Sequence, residues 1–253
     1  LELPMDYPRP ARKSGKGGIV FGNIDKSMVI ALKEVAKKNS CTINMLLLSI
    51  YSLFLNKLSN QNNIIIGMPI SGRPHKDFET VIGMFANSIA LPLQVENETS
   101  FPEFITQVKN KTLKAYQHQS YPFERLVEHI VKNRDLSRNP IFDTMFVFEK
   151  GEKRILKTSE FHFEAYPLKK DISPYDLALE MIEQNGEMSL NFEFNSDIFK
   201  WETMKQWQNY LLNLFKEVIA NSNLKVGEYQ LWNSTAQKKK KKKVNNTKMD
   251  FGS

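Results

Sequence analysis

The segment INMLLLSIYSLFLNKL, residues 43–58, is apolar on most sides when it is wound as a helix. A helix that is apolar nearly all round is usually buried, so this segment predicts a helix at the centre of the core. Ser40 and Thr42 precede it and offer caps. Polar side chains interrupt the segment, which leaves it short of the roughly 20 apolar residues that a membrane-spanning helix needs. We therefore expect a soluble protein built around this helix.

Helices and strands are predicted on both sides of the central helix. Residues 64–68 form a β-branched run without alternation, which predicts a strand buried on both faces. Asn185-Gly186 is a strong hairpin signal between two strand-like runs. Residues 1–22 are predicted to be an extended lead-in before the first structured element. The further helices are predicted at 25–39, from Phe101 after the N-cap Ser100, at 122–131 and at 201–219; the further strands are predicted at 88–95, 144–148, 161–166, 177–182 and 188–194.

This order of elements predicts an α/β sandwich of the α+β type, with one mixed sheet packed against helices. No internal repeat of 20 to 50 residues is present. With 253 residues and 41% hydrophobic side chains, the chain is long enough to bury a sizeable core.

Charge and cysteine content restrict the class of protein. The formal net charge is +7, and six of the positive charges form the lysine run 238–243. We interpret that run as a solvated tail; a polyanion-binding tail is the alternative, and we expect neither a nucleic-acid nor a membrane partner. A single cysteine, Cys41, excludes an internal disulfide and suits the reducing cytoplasm. No secretory signal opens the chain, and its Pro-rich start without Met indicates a piece of a longer protein.

The sequence contains none of the general catalytic motifs. It has no Gly-rich phosphate loop, no G-x-S-x-G, no HExxH and no CxxC pair. The four histidines are scattered without metal-ligand spacing. We predict no metal site and no directly bound cofactor.

Three other stretches have a distinctive composition: IGMFANS at 82–88, HQSYPFE at 118–124 and RDLSRNP at 134–140. In the same order, they resemble the last three motifs of the condensation domains of nonribosomal peptide synthetases, which read IGxFVNT, HQDYPFE and RDxSRNP. GMPISGR at 67–73 and YDL at 175–177 resemble two further segments of that family, GxPxxGR and FDL.

The resemblance implies a domain organisation. LPMDYPRP at 3–10 resembles the LPTDYPRP found where the family's chain passes from its first lobe into its second. Residues 1–222 therefore resemble the C-terminal lobe alone, half of a two-lobe domain with a chloramphenicol acetyltransferase-like fold. Residues 223–253 resemble the linker toward a following adenylation domain.

The resemblance also implies a function. The family joins an acyl or peptidyl thioester to the amine of an aminoacyl thioester, both tethered by phosphopantetheine to carrier domains. Its HHxxxDG motif, which bears the proposed active-site histidine, is absent, and this chain contains no His-His pair. We therefore predict no catalytic residue here and an inactive lobe when it stands alone. Its expected partners are the N-terminal lobe, peptidyl carrier domains and an adenylation domain; the alternatives are a non-catalytic docking module, or a lobe of an epimerisation or heterocyclisation domain.

Five residues are predicted to line the substrate tunnel. Asn87 is the candidate for orienting substrate, and a structural loop hydrogen bond is the alternative. Gly83 is expected to adopt a positive φ or to lie close to another segment. Pro92 replaces a family arginine and Ser120 a family aspartate, and both departures favour the docking alternative slightly. The candidate tunnel residues are Gly83, Asn87, Ser88, His118 and Gln119.

Other motif residues are predicted to be structural. The second motif is interpreted as the start of a helix, with Pro122 in its first turn and the aromatic side chains packed inward. In the third motif, Asp135 is expected to pair with one of two arginines, and a phosphate contact is the alternative. Arg73 and His75 are either ordinary loop residues or carrier contacts. The structural set is Tyr121, Pro122, Phe123, Glu124, Arg134, Asp135, Arg138 and Asn139. We also expect self-association through the exposed lobe interface.

Overall fold

The computed structural model describes residues 1–73, 75–151, 156–157, 161–163 and 171–231. Five α-helices lie within these ranges. The predicted helices are all present, to within a residue or two at each end. They are α1 (Lys26–Lys38), α2 (Ile43–Ser59), α3 (Phe101–Gln117), α4 (Phe123–Ile130) and α5 (Trp201–Ala220).

The helix starts follow capping chemistry. Thr42 accepts a hydrogen bond from the Met45 amide at the start of α2. Ser100 and Glu103 form a reciprocal capping box at the start of α3. Pro122 takes the N-cap position of α4, so the helix begins one residue later than predicted. Its fixed φ fits a capping residue as well as a first-turn residue.

A seven-stranded mixed sheet forms the second layer. Its strands are β1 (Gly17–Val20), β2 (Asn23–Ile24), β3 (Asn63–Ile70), β4 (Asn87–Gln94), β5 (Thr144–Lys150), β8 (Leu177–Gln184) and β9 (Glu187–Asn195); β6 (Leu156–Lys157) and β7 (His162–Phe163) form a separate pair. The path of neighbouring strands is β1-β9-β8-β5-β3-β4, and β2 also pairs with β9. Strand β5 runs parallel to β3 and β8, and the other pairs in this sheet are antiparallel.

The core lies between one face of the sheet and the helices, with α2 at its centre. All residues of α2 from Met45 to Asn56 are buried, as the sequence predicts. Tyr51 stacks on Phe146 of β5, and its hydroxyl lies 2.6 Å from the hydroxyl of Thr144. The predicted mixed sheet packed with helices is therefore confirmed.

The opposite face of the sheet is only partly covered. Ile64 and Ile66 of β3 are buried, but Ile65 between them is 37% exposed. The prediction that this strand is buried on both faces is therefore wrong. A small second cluster around Phe142 and Met145 covers part of this face.

The two ends of the chain pack more tightly than expected. Residues 1–22 are not a plain lead-in, because Leu3 is buried and β1 extends the sheet alongside β9. The folded body also continues past residue 222: Val226, Tyr229 and Leu231 are buried. The lysine run lies outside the described residues, and so does the end of the strand predicted at 161–166, of which the pair at His162–Phe163 is described.

Within the described ranges, none of the single helices combines the length and apolarity that a membrane span requires.

Candidate functional site

Asn87, the first residue of β4, joins three segments of the chain. Its side-chain nitrogen donates to the carbonyl oxygens of Gln119 (3.0 Å) and Tyr121 (2.8 Å). Its oxygen accepts from the amides of Ser88 (2.9 Å) and Phe123 (3.1 Å). An amide group has two donors and two acceptor lone pairs, so this side chain is fully used inside the protein. The geometry favours the structural alternative for Asn87 over direct contact with substrate.

The hydrogen bonds of Asn87 hold the segment 118–124 in place as a wall between two clefts. One cleft, of about 580 Å³, is lined on this side by Ser120, Pro122 and Glu124. The other, of about 350 Å³, is lined by His118 and Tyr121 together with Phe123. Gln119 borders both. The second motif therefore separates two spaces that are open to ligands.

The larger cleft is closed on its far side by an aromatic pair. The rings of Phe78 and Phe85 lie 5.6 Å apart, and both line the cleft with Tyr116 of α3. Burial raises the pKa of Tyr116, so its hydroxyl stays protonated at neutral pH. This cleft combines an aromatic wall with polar side chains that could orient a ligand.

Gly72 is the glycine that this cleft requires. Its φ is +65°, and a Cβ added there would lie 1.7 Å from the carbonyl oxygen of Phe85. Gly83 has a positive φ of 159°, as predicted, and an added Cβ would meet the Phe85 ring at 3.3 Å. The tighter approach to another segment is at Gly72.

Arg73 holds the loop that carries these glycines. Its guanidinium donates to the carbonyl oxygens of Phe78 and Val81, the latter at 2.9 Å, and lies 4.2 Å from the centre of the Phe85 ring. His75 is exposed nearby. The Arg73 side chain is therefore used within its own loop.

In the smaller cleft, Ser88 and Gln119 are half-buried, and His118 is exposed at the C-terminal end of α3. Four of the five predicted tunnel residues line the two clefts: Asn87, Ser88, His118 and Gln119. The fifth, Gly83, lies in the exposed loop 81–84. The structure brings Asn87 and Ser88 of β4 next to Gln119 of the wall.

The second motif starts a helix, as predicted, but only one of its aromatic residues packs inward. The Phe123 ring lies 5.3 Å from that of Phe142, whereas Tyr121 is 49% exposed. Glu124 lies in the first turn of α4, where the helix dipole favours a negative charge.

The third motif is tied down by carboxylates outside it. Arg138 pairs with Asp143 (3.0 Å) and Glu2 (2.6 Å), and Arg134 is exposed. Asp135 accepts hydrogen bonds from the amide and hydroxyl of Ser137, which lower its pKa. The expected pairing of Asp135 with an arginine is therefore wrong, because its short side chain closes the local turn instead.

Asn139 continues this attachment of the motif to the rest of the body. Its side chain donates to the carbonyl oxygen of Pro174 (2.6 Å) and accepts from Lys13 (3.1 Å). Burial lowers the pKa of Lys13 and raises that of Asp143, where the nearby Asp176 adds to the effect. The third motif thus joins the N-terminal segment to the start of β8.

The described residues hold no cluster of three or more His, Cys, Asp or Glu side chains arranged to bind a metal ion. Burial raises the pKa of the Cys41 thiol, which makes it a poor nucleophile. The residues that line the two clefts can bind and orient a ligand.

Four residues contribute to the site or to its attachment but are not among the predicted site residues: Gly72, Phe85, Tyr116 and Asp143. Gly72 lies in the GMPISGR stretch, where a glycine next to a turn is the available signal. Tyr116 carries no such signal, because its place beside the cleft depends on how α3 packs.

Known proteins are similar to this chain in both sequence and fold. The family model for the condensation domain matches residues 1–240. A plipastatin synthase of Bacillus subtilis (strain 168) is 40% identical over 221 residues, which cover 87% of this chain and 6% of that protein. Tyrocidine synthase 3 of Brevibacillus parabrevis is 38% identical over 216 residues, which cover 85% of this chain and 3% of that protein. The chain thus spans a small part of these relatives.

Solved structures show the same architecture. A four-domain nonribosomal peptide synthetase bound to AMP and glycine matches with a TM-score of 0.85 and 26% identity, over 93% of this chain and 19% of that one. The condensation domain of monacolin K polyketide synthase matches with a TM-score of 0.76 and 20% identity, over 88% of this chain and 52% of that one. An epimerization domain of a tyrocidine synthetase matches with a TM-score of 0.64 and 16% identity, over 88% and 53%. The expected chloramphenicol acetyltransferase-like fold is confirmed, and the chain belongs to the condensation-domain family of nonribosomal peptide synthetases.

Proposed function

We propose that this chain is the C-terminal lobe of a condensation domain and forms one wall of the tunnel where two carrier-bound thioesters meet. The observation that carries the proposal is the extent of the structural match: 88% of this chain aligns with a solved condensation-domain structure, but it covers only 52% of that structure. A second lobe of similar size then completes the tunnel. The absence of a His-His pair from this sequence fits the same division, because the proton-handling histidine would come from the other lobe.

In the proposed reaction, the amine nitrogen of the aminoacyl thioester attacks the carbonyl carbon of the acyl thioester. A C–N bond forms, the C–S bond breaks, and the carrier thiol leaves with a proton. Holding two tethered reactants side by side supplies effective molarity, which is the contribution of a wall without acid-base groups. The wall at 118–124, held by Asn87, provides two adjoining spaces for such reactants.

The exposed loop 81–84 is the proposed contact with the N-terminal lobe. Ile82 is 100% exposed and Met84 is 93% exposed, which is unusual for adjacent large apolar side chains. Covering them would remove apolar surface from water, and without the other lobe they favour self-association.

The remaining partners follow from the family. Carrier domains bearing phosphopantetheine deliver both substrates, and an adenylation domain follows a linker that begins after the buried Leu231. We place the protein in the cytoplasm. No cofactor is bound directly.

Complementation tests this function. The chain is mixed with a separately produced N-terminal lobe and two carrier domains, one loaded with a dipeptidyl and one with an aminoacyl thioester. A new amide on the acceptor carrier, detected by intact-protein mass spectrometry, is the expected result. The control replaces both histidines of HHxxxDG in the added lobe by alanine and should give no product.

Two outcomes contradict the proposal. Carrier binding without product, although the two lobes form a complex, would favour the docking module. Exchange of the substrate α-proton with solvent deuterium, without amide formation, would favour an epimerisation lobe.

A further inference from the structure

Strand β4 lies at one edge of the sheet, so one side of its backbone has no neighbouring strand within the described part of the chain. Two hydrogen bonds show which groups point that way. The Ser88 amide donates to the Asn87 side chain (2.9 Å), and the Pro92 carbonyl oxygen accepts from Lys111 (3.0 Å). Neither bond is made to the backbone of β3, so Ser88 and Pro92 direct these backbone groups toward the open edge.

Ala90 lies midway between Ser88 and Pro92 and has the same orientation. In an antiparallel pair, alternate residues point both of their backbone groups away from the partner strand. Ala90 is opposite Gly67 in this register, and Pro92 is opposite Ile65. A proline at an edge strand is tolerated where its nitrogen faces away from the ladder, which agrees with this assignment. The N–H and C=O of Ala90 therefore face the edge, and no described residue pairs with them.

The smaller cleft opens beside these two groups. Ala90 lines it together with Ser88 of the same strand, and its apolar walls come from Ala115, Phe123 and Leu126. Its volume of about 350 Å³ suits a small side chain and the backbone next to it. An open backbone pair therefore borders an apolar pocket.

We propose that Ala90 pairs with the backbone of a single residue of an extended carrier-tethered aminoacyl or peptidyl group, whose side chain enters the smaller cleft. The ligand residue donates its N–H to the Ala90 carbonyl and accepts from the Ala90 amide, as in β-strand addition. This inference rests on the proposed function, and it names the part of the wall that recognises the substrate backbone.

The flanking groups limit the pairing to one residue. On one side the Ser88 amide is already used by Asn87. On the other side Pro92 has no N–H, and Lys111 occupies its carbonyl oxygen. A long strand from another protein needs several consecutive pairs, and this edge does not provide them. The edge therefore suits a short ligand.

Binding of a defined probe to this chain tests the inference. The probe is N-acetyl-alanyl-alanyl-pantetheine amide, and the matched control is the same compound methylated on its backbone nitrogens. We expect the probe to slow hydrogen exchange at the Ala90 amide, measured by NMR on ¹⁵N-alanine-labelled protein. Because methylation removes the donor, the control should bind about tenfold more weakly.

Two variants test the site from the protein side. Ala90→Pro removes the N–H, as proline already does at position 92, and should weaken probe binding about tenfold. Ala115→Leu fills the cleft without touching the β4 backbone, and it should weaken the probe as well. Melting temperature shows whether each variant is folded.

The outcomes separate this inference from the proposed function. Equal binding of the methylated probe, or binding without slower exchange at Ala90, would overturn the pairing. Failure of the probe to bind while the complemented lobes still form product would also overturn it and leave the proposed function standing. Failure of both assays would overturn the proposed function, and the pairing with it.

Discussion

The guanidinium of Arg9 binds the carboxylate of Asp176 through both terminal nitrogens: Nη1 lies 3.0 Å from Oδ1, and Nη2 contacts Oδ2. Nη1 also donates to the carbonyl oxygen of Ser137 (3.1 Å). Asp176 is 2% exposed, and its hydrogen bond raises the pKa of Arg9. One side chain of the N-terminal segment thus holds both the third motif and the start of β8.

Arg9→Met should destabilise the protein by roughly 3–5 kcal/mol, because it leaves a buried carboxylate without its partner. Urea unfolding measures this loss. The matched control is Arg125→Met, which breaks the exposed pair with Glu128 (3.1 Å) and should change stability by less than about 0.5 kcal/mol. Equal losses in the two variants would contradict the assignment of the Arg9 pair as a main attachment.

Asn87→Ala should loosen the wall between the clefts. Four hydrogen bonds are lost, and the expected destabilisation is about 1–3 kcal/mol. Hydrogen exchange should accelerate in residues 118–124 and stay unchanged in α2. Asn87→Asp is the informative control: its oxygen can still accept from Phe123, but the nitrogen that donates to Gln119 is gone. Unchanged hydrogen exchange in residues 118–124 would contradict the conclusion that the Asn87 side chain holds this segment in place.

The sequence was most informative where local chemistry determines structure. Residues 43–58 predict a buried helix because most of its faces are apolar, and Asn185-Gly186 predicts the β8-β9 turn, where both residues have positive φ (53° and 83°). Motif resemblance also identified the segment 118–124 that separates the clefts.

Strand pairing and ion pairs between residues far apart in the chain could not be predicted from local sequence patterns. Residues 17–20 contain two glycines and give a weak strand signal, yet they extend the sheet because β9 offers a free edge. Ile65 belongs to a run with no alternation, so the sequence alone does not show that one face is open. The partners of Arg138 lie at positions 2 and 143, and their ion pairs depend on how distant segments meet.

Gly72→Ala should distort the larger cleft more strongly than Gly83→Ala. At Gly72 a side chain meets both a left-handed φ, which costs about 1–2 kcal/mol, and the Phe85 carbonyl oxygen, whereas at Gly83 it meets only the edge of the Phe85 ring. A larger increase in hydrogen exchange across residues 75–86 in the first variant is the expected result. The reverse ranking would show that the loop glycine needed here is Gly83.

Stability should depend on pH through Asp143, whose pKa is raised chiefly by burial. Between the ordinary carboxyl pKa of about 4 and the raised pKa, Asp143 is ionised in the unfolded chain but still protonated in the folded protein. The free energy of unfolding therefore falls as pH rises through this range. The Asp143→Asn variant has no carboxyl group at this position, so its stability does not fall for this reason. The stability of the native protein minus that of the variant should therefore fall with rising pH.

Asp135→Asn provides the control of opposite sign. The hydrogen bonds from Ser137 lower the pKa of Asp135, so its contribution is present above the ordinary pKa and is lost as pH falls through the lowered value. Urea titrations between about pH 3 and pH 7 measure both variants. Parallel pH profiles for the two would contradict the opposite environments assigned to these carboxylates.

Ile82→Ser combined with Met84→Ser should reduce self-association of this chain. The two side chains are almost fully exposed, so replacing them removes apolar contact area without disturbing the core. Light scattering over a concentration series should show mass increasing with concentration for the native chain and a smaller increase for the double variant. Ile30→Ser, at an exposed position on α1, is the control for a general drop in surface hydrophobicity. If the native chain remains a monodisperse monomer at high concentration, the loop 81–84 does not mediate self-association. That result would also weaken the proposal that another lobe covers this loop.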